Sequence, residues 1–279
     1  MSQSQWGLFD WGSPAGEVGS VPYTDNKSIY VIHESGAVPG TVATITYSNL
    51  KNSHYTDTNG VKHNISKIVR TFSNLSGTNS KKWADLNKGR NPSTFNNANP
   101  MLVIYGDPND GFWYNWSDGV TITDQFFDEN GRLIDLSNNA YISISSLNNS
   151  YDHRFSKDLN NTHIEGVAAV SGGKAYALAG SSVKLHNGVL YSPTNNSDIK
   201  DGSLNDGRWD SKKSADQYYG SGIIKLNNND FSIRFETTRN SSDVTPMVWA
   251  YYATVIPETP TPRSIVRYHY DVLTVYSNY

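Results

Sequence analysis

Two aromatic-rich stretches, residues 105–119 and 207–222, carry the side chains of this sequence that are best suited to bind a ligand. Both stretches are rich in Asp, Asn and Gly, and the first also contains Pro108. Pro has no backbone donor and Gly tolerates positive φ, so we predict loops here rather than strands. The aromatic residues concerned are Phe112, Trp113, Tyr114, Trp116, Trp209, Tyr218 and Tyr219.

Rings in turn-rich loops suit a carbohydrate ligand. Indole and phenol rings can stack on the C–H faces of sugars, while Asp and Asn hydrogen-bond to hydroxyls. We predict that the two stretches converge in one cleft. The predicted stacking residues are Trp113, Trp116, Trp209, Tyr218 and Tyr219. The predicted hydrogen-bonding residues are Asp107, Asn115, Asp118 and Asp210. The alternative is burial in the core, as for most large aromatics, and we favour it for Trp6, Trp11 and Trp249.

Three carboxylates in the first stretch raise the question of a cation. Asp107, Asp110 and Asp118 could supply oxygen ligands to Ca²⁺, which binds six to eight oxygens. Their spacing does not match an EF-hand loop, and Asp is also common in turns for local hydrogen bonding. We favour turn formation for these residues and keep Ca²⁺ as the alternative, a candidate cofactor.

Motifs that would indicate catalysis are missing from the sequence. It contains no Gly-x-Ser-x-Gly motif and no His-Glu-x-x-His motif. His163 and Glu165 form an isolated pair that we place at the surface. A glycan hydrolase needs only two carboxylates across a cleft, so it remains an alternative. We predict a binding protein that is not an enzyme.

Composition excludes disorder and a strongly cationic protein. The 279 residues are 37% hydrophobic and 18% charged, with a net charge of −3 and no cysteine. These values favour a folded, bacterial extracellular module without a global positive field. This charge argues against nucleic-acid binding. Local basic clusters at Lys81-Lys82, Lys88, Arg90 and Lys212-Lys213 keep open an alternative function, binding of extracellular DNA or lipoteichoic acid.

The elements that must position these residues have the period-two pattern of strands. Apolar and polar residues alternate over residues 41–47 and 231–235, and another strand is predicted over 65–72. Asn130-Gly131 and Asn187-Gly188 predict tight hairpin turns. We expect an all-β, antiparallel sandwich with long loops and few short helices, one of them a helical turn at residues 83–86.

A proline-rich segment divides the chain near its end. We predict a domain over residues 1–256, a linker over 257–263, and a returning strand or the start of a following module over 264–279. The first five residues are neither basic nor apolar. We therefore expect an export signal and a wall anchor to lie outside this piece.

Several segments, in one consistent order, resemble the family of glucan-binding protein C and the variable domain of antigen I/II. They are residues 41–53, 65–69, 107–108, 126–131, 145–148, 209–211 and 219–222. The aromatic run from Phe112 to Trp116 is richer than this resemblance leads us to expect.

The resemblance implies a lectin-like β-supersandwich at the tip of a wall-anchored streptococcal or enterococcal adhesin. It implies binding through a cleft, without catalysis and without membrane insertion. The implied partners are host or salivary glycoproteins, matrix proteins or microbial polysaccharides.

Overall fold

The computed structural model describes residues 29–33, 37–50, 53–56, 61–76, 100–115, 117–137, 140–151, 162–197, 204–210, 214, 216–239 and 247–252. In these ranges every helix is a 3-10 turn, at Pro108–Asp110, Leu204–Asp206 and Gln217–Gly220. None of the described helices is long and apolar enough to span a membrane. All other regular elements in these ranges are strands, which confirms the all-β prediction.

Seventeen strands are described. In chain order they are β1 Ile29–His33, β2 Val38–Ser48, β3 His54–Thr56, β4 Lys62–Asn64, β5 Lys67–Leu75, β6 Met101–Tyr105, β7 Phe112–Asn115, β8 Gly119–Phe127, β9 Tyr141–Ile144, β10 Asn149–Tyr151, β11 Thr162–Ser171, β12 Gly173–Ala177, β13 Lys184–His186, β14 Val189–Tyr191, β15 Gly222–Leu226, β16 Asp230–Arg239 and β17 Met247–Ala250.

These strands form four antiparallel sheets. The largest has the order β13-β14-β11-β16-β8-β5-β2, and β10 also pairs with β11. A four-stranded sheet has the order β1-β6-β7-β17, and a three-stranded sheet has the order β12-β15-β9. β3 and β4 form a small hairpin. The antiparallel pairing agrees with the predicted sandwich.

The core lies where the inner faces of the sheets meet. On β16, Phe231 and Phe235 are buried, whereas Arg234 lies on the opposite face and is half-buried. This is the alternation that one buried sheet face requires. Phe112 of β7 contacts Phe72 and Phe235 edge-on, with ring centroids 5.1 and 5.3 Å apart. These contacts join the four-stranded sheet to the eight-stranded sheet.

Both predicted tight turns are present. Asn187 and Gly188 have φ values of 50° and 83° and connect β13 to β14, as expected for a two-residue hairpin of type I′. Gly131 has a φ of 74°, and its N–H donates to the Asp128 carbonyl at 3.0 Å. The strand that follows this second turn is reduced to one bridge, between Phe127 and Leu133.

The prediction of a loop over the whole of residues 105–119 is wrong. Among the described residues of this stretch, turns and bends occupy 106–111 and 117–118, and β7 runs between them and pairs with β6 and β17. Phe112 and Tyr114 are buried and alternate with half-buried Trp113. Strand pairing and burial of alternate aromatic residues outweigh the nearby turn formers. Trp6, Trp11, the turn at 83–86 and the boundaries near 257 lie outside the described residues.

Candidate functional site

A small, partly open concavity lies between the four-stranded and eight-stranded sheets, and the volume open to a water molecule inside it is about 10 Å³. That is space for about one water, so a ligand could contact the rim of this concavity but could not enter it. It is lined by Tyr114, Ser145, Ser146, Leu147, Glu165, Gly166, Phe235, Val248, Trp249 and Ala250.

β11 brings one ionisable side chain, Glu165, to this concavity, and His163 lies next to it on the same strand. His163 and Glu165 share a strand face with Val167, because side chains two residues apart point the same way. Val167 is fully buried, while Glu165 keeps partial exposure. His163 Nε2 lies 3.0 Å from Glu165 Oε1. The charged end of β11 therefore faces inward, which corrects the prediction that this pair lies at the surface.

Asn148 connects this carboxylate to the second aromatic stretch. Its Nδ2 donates to Asp210 Oδ2 at 2.9 Å and lies 3.4 Å from Glu165 Oε2. Its Oδ1 accepts from Ser197 Oγ at 2.6 Å. Asp210 keeps exposed surface, but partial burial of its carboxyl raises its pKa. The hydrogen bond from Asn148 lowers this pKa, and the nearby charge of Glu165 raises it further. Two neighbouring carboxylates are thus held on one amide.

The Trp249 side chain lies on the outer face of the four-stranded sheet, because it alternates along β17 with Val248 and Ala250, which are buried at the concavity. Its ring is half-buried and stacks on Tyr251, with centroids 4.7 Å apart and planes 28° apart. Its Nε1 donates to the Asp110 carbonyl at 2.9 Å. Trp249 lies opposite Trp113 in the β7–β17 pair. The prediction that Trp249 is a core residue is therefore wrong in part, since its indole is only half-buried.

Other predicted ligand residues keep accessible surface. Trp113 is half-buried and donates from Nε1 to the Tyr105 hydroxyl at 2.9 Å. Tyr218 is exposed and Tyr219 is half-buried. Asp107 is exposed and accepts from the Asn109 N–H at 2.8 Å, and Asp118 is also exposed. Trp116 lies outside the described residues. A ligand-binding role for these residues remains a prediction.

Two predicted ligand residues are instead internal. Trp209 has no exposed surface, and its Nε1 donates to the Asn196 carbonyl at 2.8 Å. Asn115 is also fully buried, and within the described part of the chain neither polar atom of its amide has a hydrogen-bond partner. The expectation that Trp209 offers an open stacking face is therefore corrected, and Asn115 cannot reach a surface ligand in this conformation.

The described residues contain no set of ligands for the predicted Ca²⁺. Within those ranges, no three Asp, Glu, His or Cys side chains are grouped so that they could hold a metal ion. Asp107 caps a 3-10 turn, Asp110 lies within that turn, and Asp118 follows the end of β7. Turn formation accounts for these residues.

Sequence reasoning missed Glu165, Asn148 and Trp249 as site residues. Period two places Glu165 with Val167 and Ala169, but the other face of the same segment carries Ile164, Ala168 and Val170, so this pattern does not tell which face is buried. For Asn148, residues 145–148 contributed to the family resemblance, but no local pattern indicates contact with Asp210.

Comparison with known proteins agrees with this architecture. The profile of the family described as glucan-binding protein C matches residues 12–253. Glucan-binding protein C of Streptococcus mutans is 24% identical, with a TM-score of 0.58 and coverage of 85% of this chain and 64% of that one. The DNA-bound adhesin domain of PrgB from Enterococcus faecalis is 22% identical, with a TM-score of 0.54 and coverage of 76% and 66%.

This chain thus spans slightly less than two thirds of each of these solved chains. At such identities the two likenesses show a common fold, whereas the profile match extends over most of the sequence. The chain belongs to the glucan-binding protein C family.

Proposed function

We propose that this domain is the binding head of a cell-surface adhesin and that it holds a neutral glycan at the concavity beside Trp249. The observation that carries the proposal is the Glu165 carboxylate at the concavity, which shares the Asn148 amide with Asp210. Carboxylate oxygens accept hydrogen bonds from sugar hydroxyls, and the half-buried Trp249 indole on the outer face of the four-stranded sheet offers a stacking surface. A sugar would lie across the rim of the concavity while the rest of the glycan remains outside.

The charge of the site favours a neutral ligand. Glu165 and Asp210 both lie next to Asn148, so a phosphate, sulfate or carboxylate placed there would meet like charge. A host or salivary glycoprotein or a microbial glucan can present neutral sugars. The related Streptococcus mutans protein is named for glucan binding and is described as mediating adherence.

The proposal includes no catalytic step. The related structures are of an adhesin domain and of a glucan-binding protein that is described as mediating adherence. Incubation with glucan oligosaccharides should produce no new reducing ends, whereas steady product formation would favour the hydrolase alternative.

The binding test uses two neutral probes, isomaltohexaose and lacto-N-tetraose, with titration calorimetry on the intact chain. Glu165→Gln and Trp249→Phe should each weaken binding about tenfold, the effect of about 1.4 kcal/mol of lost contacts. Glu129→Gln is the matched control, because Glu129 is exposed at a turn away from the concavity. It should stay within about twofold of wild type.

Thermal unfolding of each variant separates lost contacts from lost structure. The proposal fails if wild type binds neither probe, or if folded Glu165→Gln and Trp249→Phe proteins bind as tightly as wild type.

A further inference from the structure

The outer face of the three-stranded sheet carries a group of basic and aromatic side chains that the proposed cleft does not use. Its inner face is apolar and buried, as shown by Ile142, Ile224 and Leu226. Its outer face presents a set that we call the Lys–Tyr platform, which consists of Tyr141, Ser143, Lys174, Tyr176, Ile223 and Lys225.

Two lysines occupy directly opposed positions on this platform. Lys174 of β12 pairs with Lys225 of β15, which in turn pairs with Tyr141 of β9. Like charges directly opposite each other destabilise a sheet by about 0.2–1 kcal/mol. Neither lysine forms an ion pair with a carboxylate within the part of the chain that the structure describes. An anion placed between the two ammonium groups would remove this repulsion.

In the free protein each lysine lies near a tyrosine ring instead. Lys174 Nζ is 5.6 Å from the Tyr176 centroid, and Lys225 Nζ is 5.9 Å from the Tyr141 centroid. Cation–π contacts at exposed sites contribute only about 0.5–1 kcal/mol, so an anionic ligand can compete for the ammonium groups. Tyr176 is 38% exposed and Tyr141 is half-buried, which leaves ring surface for stacking.

The dimensions of the platform suit a short chain of rings with a single acidic group near its centre. Strand spacing and residue rise place the Cα atoms of Tyr141 and Tyr176 about 12 Å apart on the diagonal, with Lys225 and Ile223 between them. The opposed Cα atoms of Lys174 and Lys225 are about 5 Å apart, so one carboxylate or sulfate can accept hydrogen bonds from both.

We propose that the Lys–Tyr platform is a second binding site and that it takes an acidic oligosaccharide. One sulfate or carboxylate lies between Lys174 and Lys225, and neighbouring sugar rings lie over Tyr141 and Tyr176. A nucleic acid fits less well, because DNA-binding proteins commonly contact 6–10 phosphates, whereas the platform offers two cations in a chain of net charge −3. The site differs from the cleft in residues and in the sign of its charge.

The test measures binding of a chondroitin sulfate hexasaccharide to the intact chain by calorimetry at low salt. The Lys174→Gln/Lys225→Gln variant should bind it at least about tenfold more weakly, through loss of two charge-assisted hydrogen bonds. The Lys62→Gln/Arg132→Gln variant is matched in net charge and alters two exposed residues outside the platform. It should bind within about twofold of wild type.

Further arms separate this site from the cleft and from nucleic-acid binding. Tyr176→Ala should weaken binding of the hexasaccharide, whereas binding of isomaltohexaose at the cleft should be unchanged in every platform variant. If the platform and control variants lose the same affinity for the hexasaccharide, net charge alone explains the effect and the proposal is overturned. Absence of hexasaccharide binding by wild type, or tighter platform-dependent binding of a ten-nucleotide oligothymidylate, would also overturn it.

Discussion

Arg70 and Asp124 form an ion pair at the centre of the sandwich. Both side chains are at most 1% exposed, and Arg70 Nη2 lies 2.8 Å from Asp124 Oδ2 while Nε lies 3.0 Å from Oδ1. Arg70 Nη2 also donates to the Tyr252 hydroxyl at 2.7 Å, which ties the segment that follows β17 to the largest sheet. Burial raises the pKa of nearby Tyr47 to about 12, so this phenol stays neutral at physiological pH.

Breaking this pair should cost far more than replacing it. Asp124→Asn leaves the Arg70 guanidinium buried without a compensating charge, and we expect a loss of about 3–5 kcal/mol in the free energy of unfolding. The double variant Arg70→Met/Asp124→Leu removes both charges and should lose much less. Urea denaturation at pH 7 measures both values.

An exposed aspartate provides the control for this experiment. Asp135 lies at a surface turn, so Asp135→Asn should change the free energy of unfolding by less than about 0.5 kcal/mol. If Asp124→Asn is no more destabilising than Asp135→Asn, the pair does not have the central role that its burial indicates.

At the scale of elements, buried Trp209 positions the segment that carries Asp210. A Cβ added at Gly220 would lie 1.8 Å from Trp209 Cζ3, so the 3-10 turn at Gln217–Gly220 packs its glycine directly on the indole. The Gly220 carbonyl accepts from the Leu147 N–H at 3.0 Å, and Leu147 lines the concavity. The indole thus acts on the site through packing and without contacting a ligand.

Gly220→Ala should therefore disturb both stability and binding. The methyl group forces the indole or the turn to move, and overpacking of this kind costs about 1–3 kcal/mol. Because Leu147 hydrogen-bonds to this turn, affinity for isomaltohexaose should also fall. Urea unfolding and calorimetry measure the two effects.

Gly40→Ala is the matched control. Gly40 lies in β2, and a Cβ built there meets no atom within 4 Å. The stability of the Gly40→Ala protein should stay within about 0.5 kcal/mol of wild type, and its affinity for isomaltohexaose should be unchanged. A Gly220→Ala protein as stable as this control would show that the contact between glycine and indole is not tight in solution.

At the scale of the whole molecule, the sequence predicts the fold better than the site. Alternation on β16 and the Asn187-Gly188 turn are local signals, so strands and hairpins follow from neighbouring residues. Contact between Asn148 and Asp210 joins residues 62 positions apart and depends on sheet packing that no local pattern encodes. Burial of Trp209 likewise depends on the Asn196 carbonyl and on Gly220, which lie outside its own turn.

The distribution of charge over the whole molecule separates the two proposed sites by their response to salt. At the cleft a neutral sugar makes no net charge contact, so affinity for isomaltohexaose should change by less than about twofold between about 50 and 500 mM NaCl. At the Lys–Tyr platform, screening of two exposed ammonium groups should weaken chondroitin sulfate binding at least about tenfold over that range. A steep salt response for isomaltohexaose would contradict a neutral ligand at the cleft. It would favour instead the alternative of a charged-polymer adhesin, whose predicted lysine clusters at 81–90 and 212–213 lie outside the described residues.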